Sequence, residues 1–171
     1  DLKVTAANVS IKAVAHSENN DTLELGASTV SGTYNVTAIT GNITDTGTLA
    51  ITGLATLTTS ASGADIELDE TGSTFAAGVS LNTIGDSGNA TVDTGTNALI
   101  VATSSVGGNL TLTSGNASGI TDLVGATVTV NGNLSATTDA NNGVITLDGL
   151  AVNTDGGSTI AFAPHGSGNV T

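Results

Sequence analysis

The residues able to do chemistry are few, and their spacing limits what they could do. Asp45, Asp65, Glu67, Asp69, Glu70, Asp86, Asp93, Asp122, Asp139, Asp148 and Asp155 are scattered, mostly singly, along the chain. The densest group is Asp65–Glu70, in which Asp65, Glu67 and Asp69 alternate and would share the outward face of a strand. Such a triplet could hold Ca²⁺, or supply the carboxylates of a glycoside hydrolase, one of which must carry a raised pKa. A solvated face that keeps the molecule soluble is the preferred reading. The matching phrase further along has Val144, Thr146 and Asp148 in those places, so the triplet is not repeated.

Other chemistries find less to work with. His16 and His165 are the two histidines, both near the ends, and neither has a Cys, a second His or a Ser motif at ligand or triad spacing. A polysaccharide lyase needs a strong base, yet Arg is absent and both Lys, Lys3 and Lys12, fall in the first twelve residues. Asp155-Gly-Gly-Ser does not complete a Gly-Gly-x-Gly-x-Asp calcium repeat. Gly107-Gly108-Asn109 precedes a strand pattern, so it reads as a turn and not a phosphate cradle. No catalytic, cofactor-binding or metal-ligating residue is assigned, no cofactor is expected, and the chain is read as not an enzyme.

Charge narrows the partners. Fifteen acidic residues against two Lys give a net charge of −13. Nucleic-acid binding and attraction to anionic lipid both need Lys or Arg to replace counterions, so neither partner is expected. No run approaches the ~18 apolar residues of a membrane helix, and the N-terminus lacks a basic-then-apolar signal pattern. With no Cys there is no disulfide framework or thiol chemistry.

Nine Asn-x-Ser/Thr sequons occur, at Asn8, Asn20, Asn35, Asn42, Asn89, Asn109, Asn116, Asn133 and Asn169. Glycosylation is one reading. The other is that a turn Asn followed by an aliphatic residue and then Thr or Ser generates the pattern without any modification. Thr-x-Thr pairs, at Thr111/Thr113 and Thr127/Thr129, raise an ice-binding alternative. The equivalent places hold Asn35/Thr37 and Thr48-Leu-Ala50, which breaks the pattern such a face requires.

The elements that must position these residues come from repetition. Thr29–Thr37 realigns with Ser105–Thr113 at an offset of 76, and Ile43–Asp45 with Ile120–Asp122 at 77. Thr48–Gly53 realigns with Thr127–Gly132, and Gly63–Asp69 with Asn142–Asp148, both at 79. The chain is thus a duplication, with copies at about residues 23–98 and 99–171 and residues 1–22 as the tail of a preceding unit. Within each copy aliphatics alternate with Thr, Glu or Ala, as in Leu49-Ala-Ile51, Ile66-Glu-Leu68 and Val128-Thr-Val130. Period two places one set inward and the other outward. Gly- and Asn-rich turns separate these runs.

The fold expected is all-β. With 38% hydrophobic but only 2% aromatic residues, the interior must be narrow and filled by small aliphatics. Copies joined without a linker favour one continuous parallel β-solenoid over two sandwiches. Four coils of roughly 19–20 residues per copy would give eight or nine coils and a rod of about 40 Å at ~4.8 Å per coil. Neither Asp1–Thr5 nor Gly168–Thr171 reads as a cap. Both ends are expected to be continued by more of the same solenoid or by further copies of it.

The phrases ELGASTVSGTYNVTA, GNITDTGTLAITGLATLTTSASGADIELDETGSTF and SSVGGNLTLTSG resemble repeats of very large bacterial exoproteins of the filamentous haemagglutinin type. The resemblance covers about residues 23–150. It implies a right-handed parallel β-helix, export through a two-partner secretion translocator, and display at the cell surface. The expected function is therefore an extracellular structural or adhesive rod within a large secreted adhesin, with a spacer or attachment role. The alternatives are a self-assembling subunit of an extracellular filament or sheath and, third, a polysaccharide-active β-helix enzyme.

Overall fold

The computed structural model describes residues 2–14, 22–140, 142–153 and 157–171. Short alternating runs broken by Gly, Asn and Ser cannot continue straight for long, and each becomes one strand before the chain turns. Three strands make one turn. The first holds β1 (Thr5–Ala6), β2 (Val9–Ala13) and β3 (Leu23–Leu25). The second holds β4 (Ser28–Val30), β5 (Tyr34–Ala38) and β6 (Ile43–Asp45). Next come β7 (Leu49–Ile51), β8 (Ala55–Ser62) and β9 (Ile66–Leu68), then β10 (Thr74–Phe75), β11 (Val79–Ile84) and β12 (Ala90–Asp93). The fifth has β13 (Leu99–Val101), β14 (Ser104–Val106) and β15 (Leu110–Ser114). The sixth has β16 (Ile120–Asp122), β17 (Val128–Val130) and β18 (Leu134–Thr138). The last has β19 (Ile145–Thr146), β20 (Leu150–Val152) and β21 (Ile160–Ala163).

Every strand pair is parallel, and every third strand stacks on the one before, which makes the molecule a β-solenoid with three faces. The third face is the most regular, running β3-β6-β9-β12-β15-β18-β21 without interruption. The second runs β2-β5-β8-β11-β14-β17-β20, and the first begins β1-β4-β7-β10 and resumes as β13-β16-β19. Between β10 and β13 the first face jogs. There β13 takes its register partner from β11 (Val79↔Val101) while resting against β10.

The number of turns corrects the expectation of eight or nine short coils. Along the third face, successive partners are Leu23, Ile43, Ile66, Ala90, Leu110, Leu134 and Ile160. The tightest turns take 20 residues and the longest takes 26, the same separations that the corner hydrogen bonds span. Six full turns separate β1 from β19, and at ~4.8 Å per rung the rod is about 29 Å long. The corners are longer than expected, and some carry buried polar ties, such as Thr59 Oγ1 donating to the Ala64 carbonyl and Thr83 Oγ1 to the Gly88 carbonyl.

The duplication takes on a definite geometric meaning here. Each matched phrase lies ten strands after its twin: β4 and β14, β6 and β16, β7 and β17, β9 and β19. Ten strands are three turns and one strand. The second copy is therefore rotated about the axis by one face relative to the first: what lies on the first face in one copy lies on the second in the other.

Inward side chains form columns along the axis. Val9–Tyr34–Ala55–Val79 and Ile11–Val36–Leu57–Leu81 line the second face from the leading tail through the first copy. On the third face Leu110, Leu134 and Ile160 stack in register, beside Leu112, Ala136 and Phe162. From Val9 to Leu147 these buried residues form one continuous cluster across the boundary between the copies. Corners close only where glycine allows. A Cβ on Gly53 would lie 2.4 Å from the backbone of Gly32, and one on its twin Gly132 would lie 2.6 Å from Gly108.

Candidate functional site

The third face positions most of the polar chemistry. Immediately before its strands stand Asn42, Asp65, Asn89, Asn109 and Asn133, each one turn above the last. Their side-chain oxygens form a ladder. Asn42 Oδ1 accepts the Asp65 N–H at 2.9 Å, and Asp65 Oδ1 accepts the Asn89 N–H at 2.7 Å. Asn89 Oδ1 accepts the Asn109 N–H at 2.9 Å, Asn109 Oδ1 the Asn133 N–H at 2.8 Å, and Asn133 Oδ1 the Thr159 N–H at 2.8 Å. A corner N–H lies just outside the strand ladder, and a short acceptor one rung below satisfies it. The sequence carries a signal for this, an Asx directly before an inward aliphatic at intervals of one turn. Reading each Asn only as a turn residue misses it.

The sequons acquire a structural reason from the same ladder. Asn42, Asn89, Asn109 and Asn133 are all sequon residues, with an inward aliphatic or Ala next and an outward Thr or Ser after it. Asn8 does the same job at another corner, its Oδ1 accepting the Thr33 N–H at 2.9 Å. Asn116 Oδ1 accepts from Ser118 N–H while its Nδ2 donates to the Thr96 carbonyl. Asn35 is exposed on β5, and Asn20 lies outside the described residues.

The expected acidic triplet is only partly brought together. Glu67 points outward from β9 and is exposed, and Asp69 is exposed just past the strand end. Asp65 is instead held in the ladder, where its Oδ1 also accepts from Asn89 Nδ2 at 3.1 Å. A shallow polar groove runs across Asp65, Glu67, Asn89, Thr91, Asn109 and Thr111. Among the described residues no group of three or more His, Asp or Glu side chains could hold a metal ion. His165 is exposed, its Nδ1 2.9 Å from the Asp139 carbonyl oxygen. His16 and Asp155 lie outside the described residues. The Thr-x-Thr pairs do not stack, since Thr111/Thr113 belong to the third face and Thr127/Thr129 to the second and its corner.

One carboxylate departs from its ordinary behaviour. Asp45 follows Ile43 by two residues, so alternation turns it inward, in register above Leu25. Its Oδ1 accepts the Asp69 N–H at 3.0 Å and the Glu70 N–H at 3.3 Å, while its Oδ2 is buried without a partner. Burial pushes its pKa up to about 6, against the pull of those two N–H groups, and the neighbouring Asp69 and Glu70 charges add to the rise. A raised carboxyl is what a general acid requires. This one is 6% exposed and tied at one oxygen, so it is walled off from any polymer lying along the rod. Its twin Asp122 is half-buried, with Oδ2 accepting the Gly149 N–H at 2.8 Å.

Fold and surface together define a repeat-built β-solenoid whose corners are tied by side-chain ladders. The sequence profile of a family described as repeats of unknown function (DUF5649) matches residues 4–82 and again 87–161, and the chain belongs to that family. Comparison with curated proteins gives no match, and comparison with solved structures gives none.

Proposed function

We propose that the chain is a segment of an extracellular structural or adhesive rod, in which the solenoid holds binding elements away from a surface. The observation that carries this reading is the single buried aliphatic axis from Val9 to Leu147. Repetition of this kind lengthens a rod without requiring any one residue to act. The outer faces support the same reading. They present columns such as Thr91–Thr111–Ser135 and Thr37–Thr58–Asn82, suited to hydration more than to catalysis. The likeness of residues 23–150 to filamentous haemagglutinin-type repeats adds the expectation of cell-surface display and of a two-partner secretion translocator as export partner.

The test is the native protein on its own cells. Antibodies raised against this chain should label intact, unpermeabilised cells, and the labelled protein should have a mass many times 16.4 kDa. Label seen only after permeabilisation would overturn the reading. A native mass near 16.4 kDa in an assembling polymer would favour a filament subunit joined end to end by strand stacking. Turnover of pectin-like or alginate-like polysaccharides should be absent; its presence would bring back the enzyme reading.

A further inference from the structure

Among the described residues, Asp45 is the one carboxylate with a buried, partnerless oxygen. The place it occupies is apolar elsewhere on the third face: Leu25 lies beneath it, and Val92, Leu112 and Ala136 line the same column further up. Its other oxygen holds the turn at Asp69 and Glu70, the start of the corner leading to β10. The charges packed around it are acidic. Asp69 and Glu70 face it from the turn above, and Glu24 and Glu67 stand on the outer side of the strands below and above. Its own strand carries no other titratable group.

We propose that the Asp45 step is an acid-tightened joint in the rod, in which a proton on Asp45 stabilises the stacking of the Asp69-Glu70 turn on β6 and its loss weakens that stacking. The physical reason is the partnerless oxygen. A neutral carboxyl keeps one oxygen as acceptor for the two N–H groups and removes a buried negative charge that two flanking carboxylates oppose.

The direction of the pH dependence follows. The folded chain binds this proton near pH 6 and the unfolded chain near 3.8, so the folded state is the better proton acceptor. The charge therefore destabilises the fold fully above about pH 6, and the effect fades as the pH falls toward 4. The net charge of −13 also makes the whole molecule more stable on acidification, so the joint is read from a difference between variants.

The experiment is denaturant unfolding of the wild type and Asp45→Asn between pH 7.5 and pH 4.5. Asn is a permanent stand-in for the neutral acid. Asp45→Asn should have the larger folding constant at pH 7.5, and the ratio to wild type should fall at least about tenfold by pH 4.5. Parallel profiles for the wild type and Asp45→Asn would overturn the proposal. Should Asp45→Asn not fold, a ¹³C titration of the wild-type Asp45 carboxyl decides: a midpoint near 6 upholds the joint, and one near 4 removes it.

Discussion

The two copies solve the same packing problem with different residues. In the first, Tyr34 stacks directly on Ala55, a large side chain against a small one. At the twin positions in the second copy, Leu110 stacks on Leu134, two of middle size. The next column shows the same exchange. Leu57 of the first copy lies between Val36 and Leu81, whereas its twin Ala136 lies between Leu112 and the bulky Phe162. A solenoid therefore constrains the summed volume of neighbouring rungs more tightly than the residue at any one rung. That freedom is also what lets one phrase serve on different faces in its two copies.

Breaking the compensation should have the largest effect. Leu57→Ala copies the second-copy residue without its Phe162 neighbour and leaves a cavity. The expected loss is about 2–5 kcal/mol in denaturant unfolding. Ala55→Leu, which overpacks the rung on Tyr34, should lose about 1–3 kcal/mol. Adding Tyr34→Leu should recover most of that loss, since the pair then matches Leu110 and Leu134. Additive losses in this double-mutant cycle would show that the two positions do not share volume.

Smaller effects sharpen the contrast at the corners. Asn109→Ala removes the acceptor for the Asn133 N–H on an exposed corner and should cost about 1 kcal/mol. Asn109→Asp should cost less, because Asp65 already fills a ladder position. Tyr34→Phe should cost less than a well-made hydrogen bond contributes, below about 0.5 kcal/mol. The Tyr34 hydroxyl is buried beside Ser28 without a hydrogen bond of good geometry, and burial raises its pKa. Ser28 Oγ is already engaged, accepting the Val4 N–H and donating to the Gly26 carbonyl. A loss of about 1.5 kcal/mol would mean that Tyr34 and Ser28 share a well-made hydrogen bond, since that is the upper end of what such a bond contributes.

How much of this was legible in the sequence differs between strands and corners. Period-two alternation located the strands: Leu49-Ala-Ile51, Ile66-Glu-Leu68 and Val128-Thr-Val130 are β7, β9 and β17. The realigned phrases each fall on strands, as Ile43–Asp45 on β6 and Ile120–Asp122 on β16. The turn length escaped, because corners vary in length while sharing the Thr, Asn, Gly and Ser composition of the outward faces. Without the turn length, the one-face rotation between copies could not be seen. The Asx ladder escaped for a related reason: its members stand 20 to 24 residues apart, and each looks locally like an ordinary turn residue. Asp45 was legible in principle. Alternation from Ile43 turns it inward, but residue type alone groups it with the outward acids, because carboxylates are so seldom buried.

Oxidative cross-linking across the copy boundary tests the shared core most directly, and the chain has no native cysteine to interfere. Asn82 and Ser105 stand on opposite sides of both the copy boundary and the gap between the two family matches, and they are register partners in adjacent parallel strands of the second face, as Ser105 and Thr129 are within the second copy. Neighbouring strands are close enough for a disulfide. A continuous core predicts that Asn82→Cys with Ser105→Cys links as readily as Ser105→Cys with Thr129→Cys. A link within the copy but none across the boundary would mean two separately cored domains, and would contradict the single solenoid.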